Sequence, residues 1–328
     1  MSERSRLRTE EGYLVFVALV IFGLFAALTY GGISLGTDAV AEQVRSRVQG
    51  NAALGVTFID DTLGSIEIIA QNLASDSEMV AAVGDGDPDH VDAARVASLV
   101  GSSSRWTPGI SAMAVVALDG RLVTVAPAAP NLVGTDFSFR DWYRGVAAID
   151  DLYVSEVYVS SIAGNPRVVA VATPIRSEAG ESVGYLLVTY EVHAIEAFVN
   201  RFAERGIRFT ITDQRGIVVA APGDVPAELV SQVDDPFVVA ALAGESGHRD
   251  RSAGGQDWVS AYAPVADLGW TVRADVLATA AYASVNTLRR TVLGLAAVLA
   301  VVLCGAMLIV ARSVNRCLLY TSPSPRDS

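Results

Sequence analysis

Two long stretches without a single charged residue constrain this chain more than any other feature. From Gly12 to Thr37 nothing is charged, and Leu14 to Leu28 is almost wholly Leu, Val, Phe, Ala and Ile. As a helix, this run reaches roughly 39 Å, enough to cross a hydrocarbon core of about 30 Å with some tilt. Thr291 to Ala311 forms the second run, between Arg289–Arg290 and Arg312. It has the length of one spanning helix. Ala39-Val40-Ala41 imitates a signal-peptidase site, but the first run exceeds the 7–15 apolar residues of a signal peptide, so it reads as an uncleaved anchor. Arg4, Arg6 and Arg8 precede it and favour a cytoplasmic N-terminus. The expected layout is a cell-membrane protein with two spans and residues 38–290 outside the cytoplasm.

Charge follows the same division. Between Asp38 and Asp275 there are 32 acids against 16 Arg, a net charge of −16 out of −12 for the whole chain, which contains no Lys. Such an acidic surface repels a phosphate backbone, so no nucleic-acid partner is expected. Cys304 and Cys317 are the two cysteines, and neither lies in this middle region. A disulfide framework and a Cys-based zinc module are thereby excluded there. His90, His193 and His248 are scattered without metal-ligand spacing, and Asp85, Asp87 and Asp89 lack the Gly and Glu that a calcium loop needs. No P-loop, G-x-S-x-G or kinase signature is present. The reading is therefore no enzyme, no catalytic residues, no metal and no cofactor.

Residues 39–83 read as one long helix, with Phe58, Ile59, Thr62, Leu63, Ile66, Ile69, Ala70 and Leu73 forming one apolar stripe. Gly84 to Pro88 ends it, and Asp87-Pro88 suggests the start of a short helix to Leu99. Strands are expected at 112–118 and 122–125 around Asp119-Gly120, then at 168–174 and 183–190, with a helix at 193–204. A second series places strands at 207–212 and 217–220 around Asp213-Gln214-Arg215-Gly216, a helix at 236–243, and strands at 258–263 and 269–276. The strand, Asp–Gly turn, strand pattern thus occurs twice, which points to two tandem α+β modules.

Gly134-Thr135-Asp136-Phe137-Ser138-Phe139-Arg140-Asp141-Trp142-Tyr143 resembles the ligand-helix signature of the double Cache family of extracellular sensor domains. Tyr153, Tyr158-Val159-Ser160, Ala172-Thr173-Pro174-Ile175, Gly180 with Gly184, and Asp267-Leu268-Gly269-Trp270 follow in the family's order over roughly residues 39–285. The resemblance implies an α+β fold of two PAS-like (Cache) modules on a long N-terminal helix, flanked by two transmembrane helices. It divides the chain into a cytoplasmic N-terminus (1–11), a first span (12–37), a stalk helix (38–84), a membrane-distal module (85–205), a membrane-proximal module (206–285), a second span (290–311) and the start of a HAMP-like linker (312–316). Residues 317–328 resemble translated adapter sequence and are set apart as a non-native tail.

The family is the sensory half of transmembrane receptors, so the resemblance implies small-molecule sensing, a homodimer, and a chemoreceptor, histidine kinase or cyclic-dinucleotide enzyme as output. The alternative from another class is a protein-binding or scaffold module without a small ligand. Arg140, Trp142, Tyr143, Tyr158 and Thr189 are the candidate ligand-binding residues. With Asp136 as N-cap, Arg140 and Tyr143 would share a helix face, and a planar guanidinium beside aromatic walls suits a carboxylate. The amino-acid-binding members use an upstream Tyr and a downstream Asp, where this chain has Thr135 and Thr189. Neither supplies a charge for an ammonium group. The expected partner is a small carboxylate-bearing metabolite or an amino acid.

Overall fold

A computed structural model describes residues 3–87, 90–104, 108–161, 165–223 and 228–320. The chain divides into two compact units, one of residues 1–44 and 279–328, the other of residues 45–278.

Helix α1 runs from Glu3 to Ala74, α2 from Ser77 to Val83 and α3 from Ala93 to Ser104. The expected single helix over 39–83 is therefore interrupted. Asp76 is the cause, since its carboxylate accepts from the Glu78 amide and caps a new helix. Gly84, at φ 70°, closes α2. The short helix expected to begin at Asp87-Pro88 begins instead at Ala93, with the Asp92 carboxylate accepting from Arg95 N at 3.0 Å. Pro88 and Asp89 themselves lie outside the described residues.

The apolar stripe of α1 faces a core. Ile59, Leu63, Ile66 and Ala70 are buried, and Phe58 stacks on Phe198 with centroids 3.8 Å apart. Gly55 marks the closest approach, because a Cβ there would stand 2.6 Å from Val272 and 3.0 Å from the Phe209 ring.

Strands β1 (Ile110–Val116) and β2 (Leu122–Ala126) form a hairpin, followed by a 3-10 turn at Pro130–Leu132, helix α4 (Asp141–Ile149), and strands β3 (Tyr153–Val154), β4 (Tyr158–Val159), β5 (Arg167–Arg176) and β6 (Ser182–Glu191). They make an antiparallel sheet in the order β2-β1-β6-β5-β3, with β4 also on β5. Helix α5 (Val192–Ala203) leads into β7 (Ile207–Thr212), β8 (Val218–Ala220), α6 (Pro236–Leu242), β9 (Gly247–Ala253), β10 (Gln256–Val265) and β11 (Trp270–Leu277), a second antiparallel sheet in the order β8-β7-β11-β10-β9. Both sheets are wound alike: a hairpin, a helix, then a run of strands, four in the first sheet and three in the second, of which the last inserts beside the first.

Register makes the correspondence specific. In the first sheet Thr189 of β6 opposes Ala112 and Ala170, and Ala170 stands four residues before Pro174. In the second, Asp275 of β11 opposes Arg208 and Ser260, and Ser260 stands four residues before Pro264. Directly paired residues share a face, so Thr189 and Asp275 occupy equivalent places on equivalent faces.

Helices α7 (Ala278–Ala281) and α8 (Ala283–Tyr320) complete the chain. Within α8, Arg289–Ala306 is apolar enough to cross a membrane, with mean hydropathy 1.7 and exposed Leu295, Val298 and Val301. Among the described residues it is the one such segment. The first apolar run, 12–37, belongs to the α1 backbone, but most of its side chains lie outside the described residues. Helix α8 continues through Tyr320 and so includes the HAMP-like stretch and four residues of the segment set apart as a tail, whereas 321–328 lie outside the described residues.

Candidate functional site

The first sheet and the segment leading into α4 line a half-open cavity of about 50 Å³. Its floor is the β1–β6 face, with Ala114, Val116, Leu187 and Thr189; Phe137 and Trp142 wall one side, and Tyr158, Ser160 and Ser161 another. Small residues on β1 leave the space. Ala112 and Ala114 alternate on the face that Leu and aromatic side chains fill elsewhere, so the aromatics roof the gap instead of closing it.

Among the described residues Arg140 is the one charged residue of the lining. Its Nη2 donates to Ser161 Oγ at 3.1 Å, and its guanidinium lies 4.9 Å from the Tyr158 ring centroid and 5.2 Å from that of Phe139. A guanidinium carries five N–H donors in a plane, so one bond to Ser161 leaves most of the fork available. Burial pushes the Tyr158 hydroxyl above its ordinary pKa, and the nearby Arg140 charge pulls the other way. Tyr158 therefore stays a neutral donor at any physiological pH. Among the described residues the site presents one fixed positive charge at the open side of an apolar, aromatic lining, where a carboxylate can take a charge-assisted contact.

The helix cap differs from the expected one. Helix α4 starts at Asp141, with Arg140 in the cap position at extended φ −72°, ψ 147°. Asp136 instead accepts from Ser138 N at 2.8 Å, holding a local turn, and hydrogen bonding from Ser138 with the Arg121 charge keeps its carboxyl below the usual range. Because Arg140 precedes the helix, it does not share a helical face with Tyr143. The structure brings Arg140, Trp142, Tyr158 and Thr189 to one cavity and leaves Tyr143 out of the lining. The Tyr143 hydroxyl donates to Leu118 O at 2.6 Å, and its ring packs edge-on against Tyr185 at 5.6 Å.

Thr189 is 3% exposed. Its hydroxyl donates to Ala112 O at 3.1 Å and meets Ser111 Oγ at 2.9 Å, so local partners use its hydrogen bonds. Thr135 is exposed and lies outside the lining. Ser161, which anchors the Arg140 fork, was not among the sequence candidates; it follows the quoted Tyr158-Val159-Ser160 by one residue, the only signal that pointed near it.

Asp141 fixes the two sides of the cavity relative to each other. Its carboxylate accepts from Tyr153 Oη at 3.1 Å and from Glu156 N at 3.0 Å, which ties the start of α4 to the strand segment carrying Tyr158. Among the described residues no group of three His, Cys, Asp or Glu is arranged to hold a metal ion.

The dCache_1 family, described as a Cache domain, matches residues 36–285, most of the chain. The chain belongs to the Cache domain family. A methyl-accepting chemotaxis protein, McpA of Pseudomonas putida strain KT2440, is 23% identical over 293 residues, covering 88% of this chain and 43% of that protein. The chain thus spans less than half the length of that relative. Among solved structures, the ligand-binding domain of the Pseudomonas fluorescens chemoreceptor CtaA, in complex with L-isoleucine, matches 75% of this chain and 98% of its own at 17% identity and a TM-score of 0.59. The ligand-binding domain of the Pseudomonas aeruginosa PAO1 amino-acid chemoreceptor PctC, in complex with GABA, covers 71% of this chain and 99% of its own, at 20% identity and a TM-score of 0.53. The two solved structures are chemoreceptor ligand-binding domains, and this Cache chain has an α+β fold with a long N-terminal helix and two antiparallel sheets.

Proposed function

We propose that this Cache chain is the extracytoplasmic sensing part of a membrane receptor, and that the first-sheet cavity binds a small carboxylate without an amine. The observation that carries this reading is Arg140, a lone guanidinium over a lining that contains no carboxylate among the described residues. A zwitterionic amino acid would bury its ammonium opposite Thr189, whose hydroxyl already serves Ala112 and Ser111. An unpaired buried ammonium costs several kcal/mol, which a compact monocarboxylate avoids. A volume of about 50 Å³ also favours few atoms.

In this reading, α1 and α8 both cross the membrane, residues 38–290 lie outside the cytoplasm, and the receptor works as a homodimer. Ligand binding favours one of two arrangements of the distal module, and the bias passes through the second span to a cytoplasmic output domain. The coupling equals the difference in ligand affinity between the two arrangements.

The test is a thermal-shift screen of the full chain in detergent micelles with acetate, propionate, pyruvate, lactate and L-isoleucine, repeated on Arg140→Ala. A shift with at least one monocarboxylate, absent for L-isoleucine and abolished by Arg140→Ala, supports the reading. A shift that persists in Arg140→Ala refutes the assignment of the site, and a response confined to the amino acid refutes that of the ligand.

A further inference from the structure

The second sheet carries a larger chamber of about 370 Å³ on the face equivalent to the first cavity. Where the first sheet places Ala112, Leu187 and Thr189, the second places Arg208, Arg273 and Asp275. Edge strand β9 adds Arg251, β10 adds Trp258, and the segment before α6 adds Gln232.

Two kinds of group lie in this chamber. The first is internally satisfied. Arg273, 5% exposed, donates through Nε to Asp275, through Nη1 to Asp235 and through Nη2 to Thr210, while Asp275 also accepts from Ser260 at 2.5 Å. These groups form a rigid polar floor. The second kind is under-used. Arg251 reaches Asp275 at 3.5 Å and Asp235 at 4.0 Å, and its Nε is buried with no hydrogen-bond partner. Arg208 lies over the Trp258 ring at 5.2 Å and forms no ion pair among the described residues. Gln232 Oε1 is likewise buried without a partner. Among the described residues three guanidiniums face two carboxylates, so the described lining carries an excess of positive charge. A buried donor and a buried acceptor left empty at one chamber each carry a desolvation cost that a suitable ligand would relieve.

We propose that this chamber is a second ligand site, in the membrane-proximal module, for a small hydroxylated carboxylate. Its carboxylate takes the Arg208 fork and the Arg251 guanidinium, and its hydroxyls meet the polar lining beside Gln232. The two modules then use one sheet face for unlike ligands: apolar and compact in the first, hydrophilic and larger in the second.

Tartrate is the probe, with carboxylates and hydroxyls on adjacent carbons, and succinate is its counterpart without hydroxyls. Calorimetric titration of the full chain in detergent is expected to show tartrate binding more tightly than succinate. Arg251→Gln and Arg208→Gln should each weaken tartrate by about tenfold or more, the loss of one charge-assisted contact. Arg208 is exposed, so its variant tests the site even if Arg251→Gln fails to fold. The proposal is overturned if tartrate does not bind, if both Arg variants bind it as the parent does, or if Arg140→Ala removes binding that Arg208→Gln retains.

Discussion

Asp213 Oδ2 accepts a hydrogen bond from Val157 N at 3.0 Å, linking the second sheet to the segment one residue away from Tyr158, which lines the first cavity. Asp213 sits at the turn between β7 and β8, fully buried, and its Oδ1 accepts from Arg215 N and Ile217 N. Beside it Arg215 pairs with Glu156 at 2.7 Å, and Arg167 donates to the carbonyls of Val218 and Val219. The strand segment that walls the cavity is thus fastened to the second sheet by a carboxylate with three backbone donors.

Replacing Asp213 with Asn should be more damaging than its size suggests. An amide turns one acceptor into a donor aimed at a backbone N–H, leaving a buried donor unpaired at a cost of about 1–3 kcal/mol. Asp213→Asn is expected to lower the unfolding free energy by that amount in urea titration. It should also weaken the ligand response of Arg140-dependent carboxylates. Unchanged stability would show that the turn tolerates the swap.

Gly55→Ala places a methyl 2.6 Å from Val272, a fully buried β-branched residue with little freedom to turn. Alanine gains about 1 kcal/mol of helix propensity over glycine, while overpacking costs about 1–3 kcal/mol. The expected balance is a net loss of about 1 kcal/mol and a melting temperature lower by roughly 2–4 °C. A rise in melting temperature would mean that α1 shifts without cost.

Glu67 and Asp60 on α1 have carboxyls raised above their usual values, first by burial and then by the negative charge of Asp267. The folded state therefore holds these protons more tightly than the unfolded chain. The penalty is fully present above the raised folded values, fades as pH falls through them, and is gone below the ordinary carboxylate range near about 4.3. Glu67→Gln should stabilise the protein at pH 7.5 by about 0.5 kcal/mol, after allowing for solvent screening. The gain should vanish at acid pH. Melting temperatures of both proteins across that range check the sign, and a gain growing toward acid pH would contradict it.

Tyr143→Phe separates support from contact. The hydroxyl bond to Leu118 O contributes about 1 kcal/mol to stability, and the ring stays in place. Melting should fall accordingly, while carboxylate affinity should change by no more than about twofold. A large loss of affinity at unchanged stability would return Tyr143 to the binding surface.

Much of the fold was legible because its strands are apolar in the way buried strands must be. Strands β5 and β6 are almost continuously buried, with Val-Val-Ala-Val-Ala in β5 and Tyr-Leu-Leu-Val in β6, and the Asp119-Gly120 turn set their partner hairpin. Strand β9 was not legible. Its Gly-His-Arg-Asp-Arg-Ser-Ala sequence is largely exposed, and it is a strand only because the β10 edge supplies hydrogen-bond partners. The start of α4 was misplaced because Asp136 is an equally good local cap, and sequence does not show which turn its side chain closes. Of the first cavity, Arg140 and its aromatic neighbours could be named from their order. The second chamber could not, since Arg208, Arg251 and Arg273 come from three strands and meet only through sheet register.

The common winding of the two sheets also means that each face position has a counterpart address in the other half. Leu187 and Arg273 share such an address, as do Ala112 and Arg208. Side chains can therefore be exchanged between halves without altering strand pairing, and taste for a molecule becomes portable: one half can be rewritten in the vocabulary of its twin while the wiring between them stays intact.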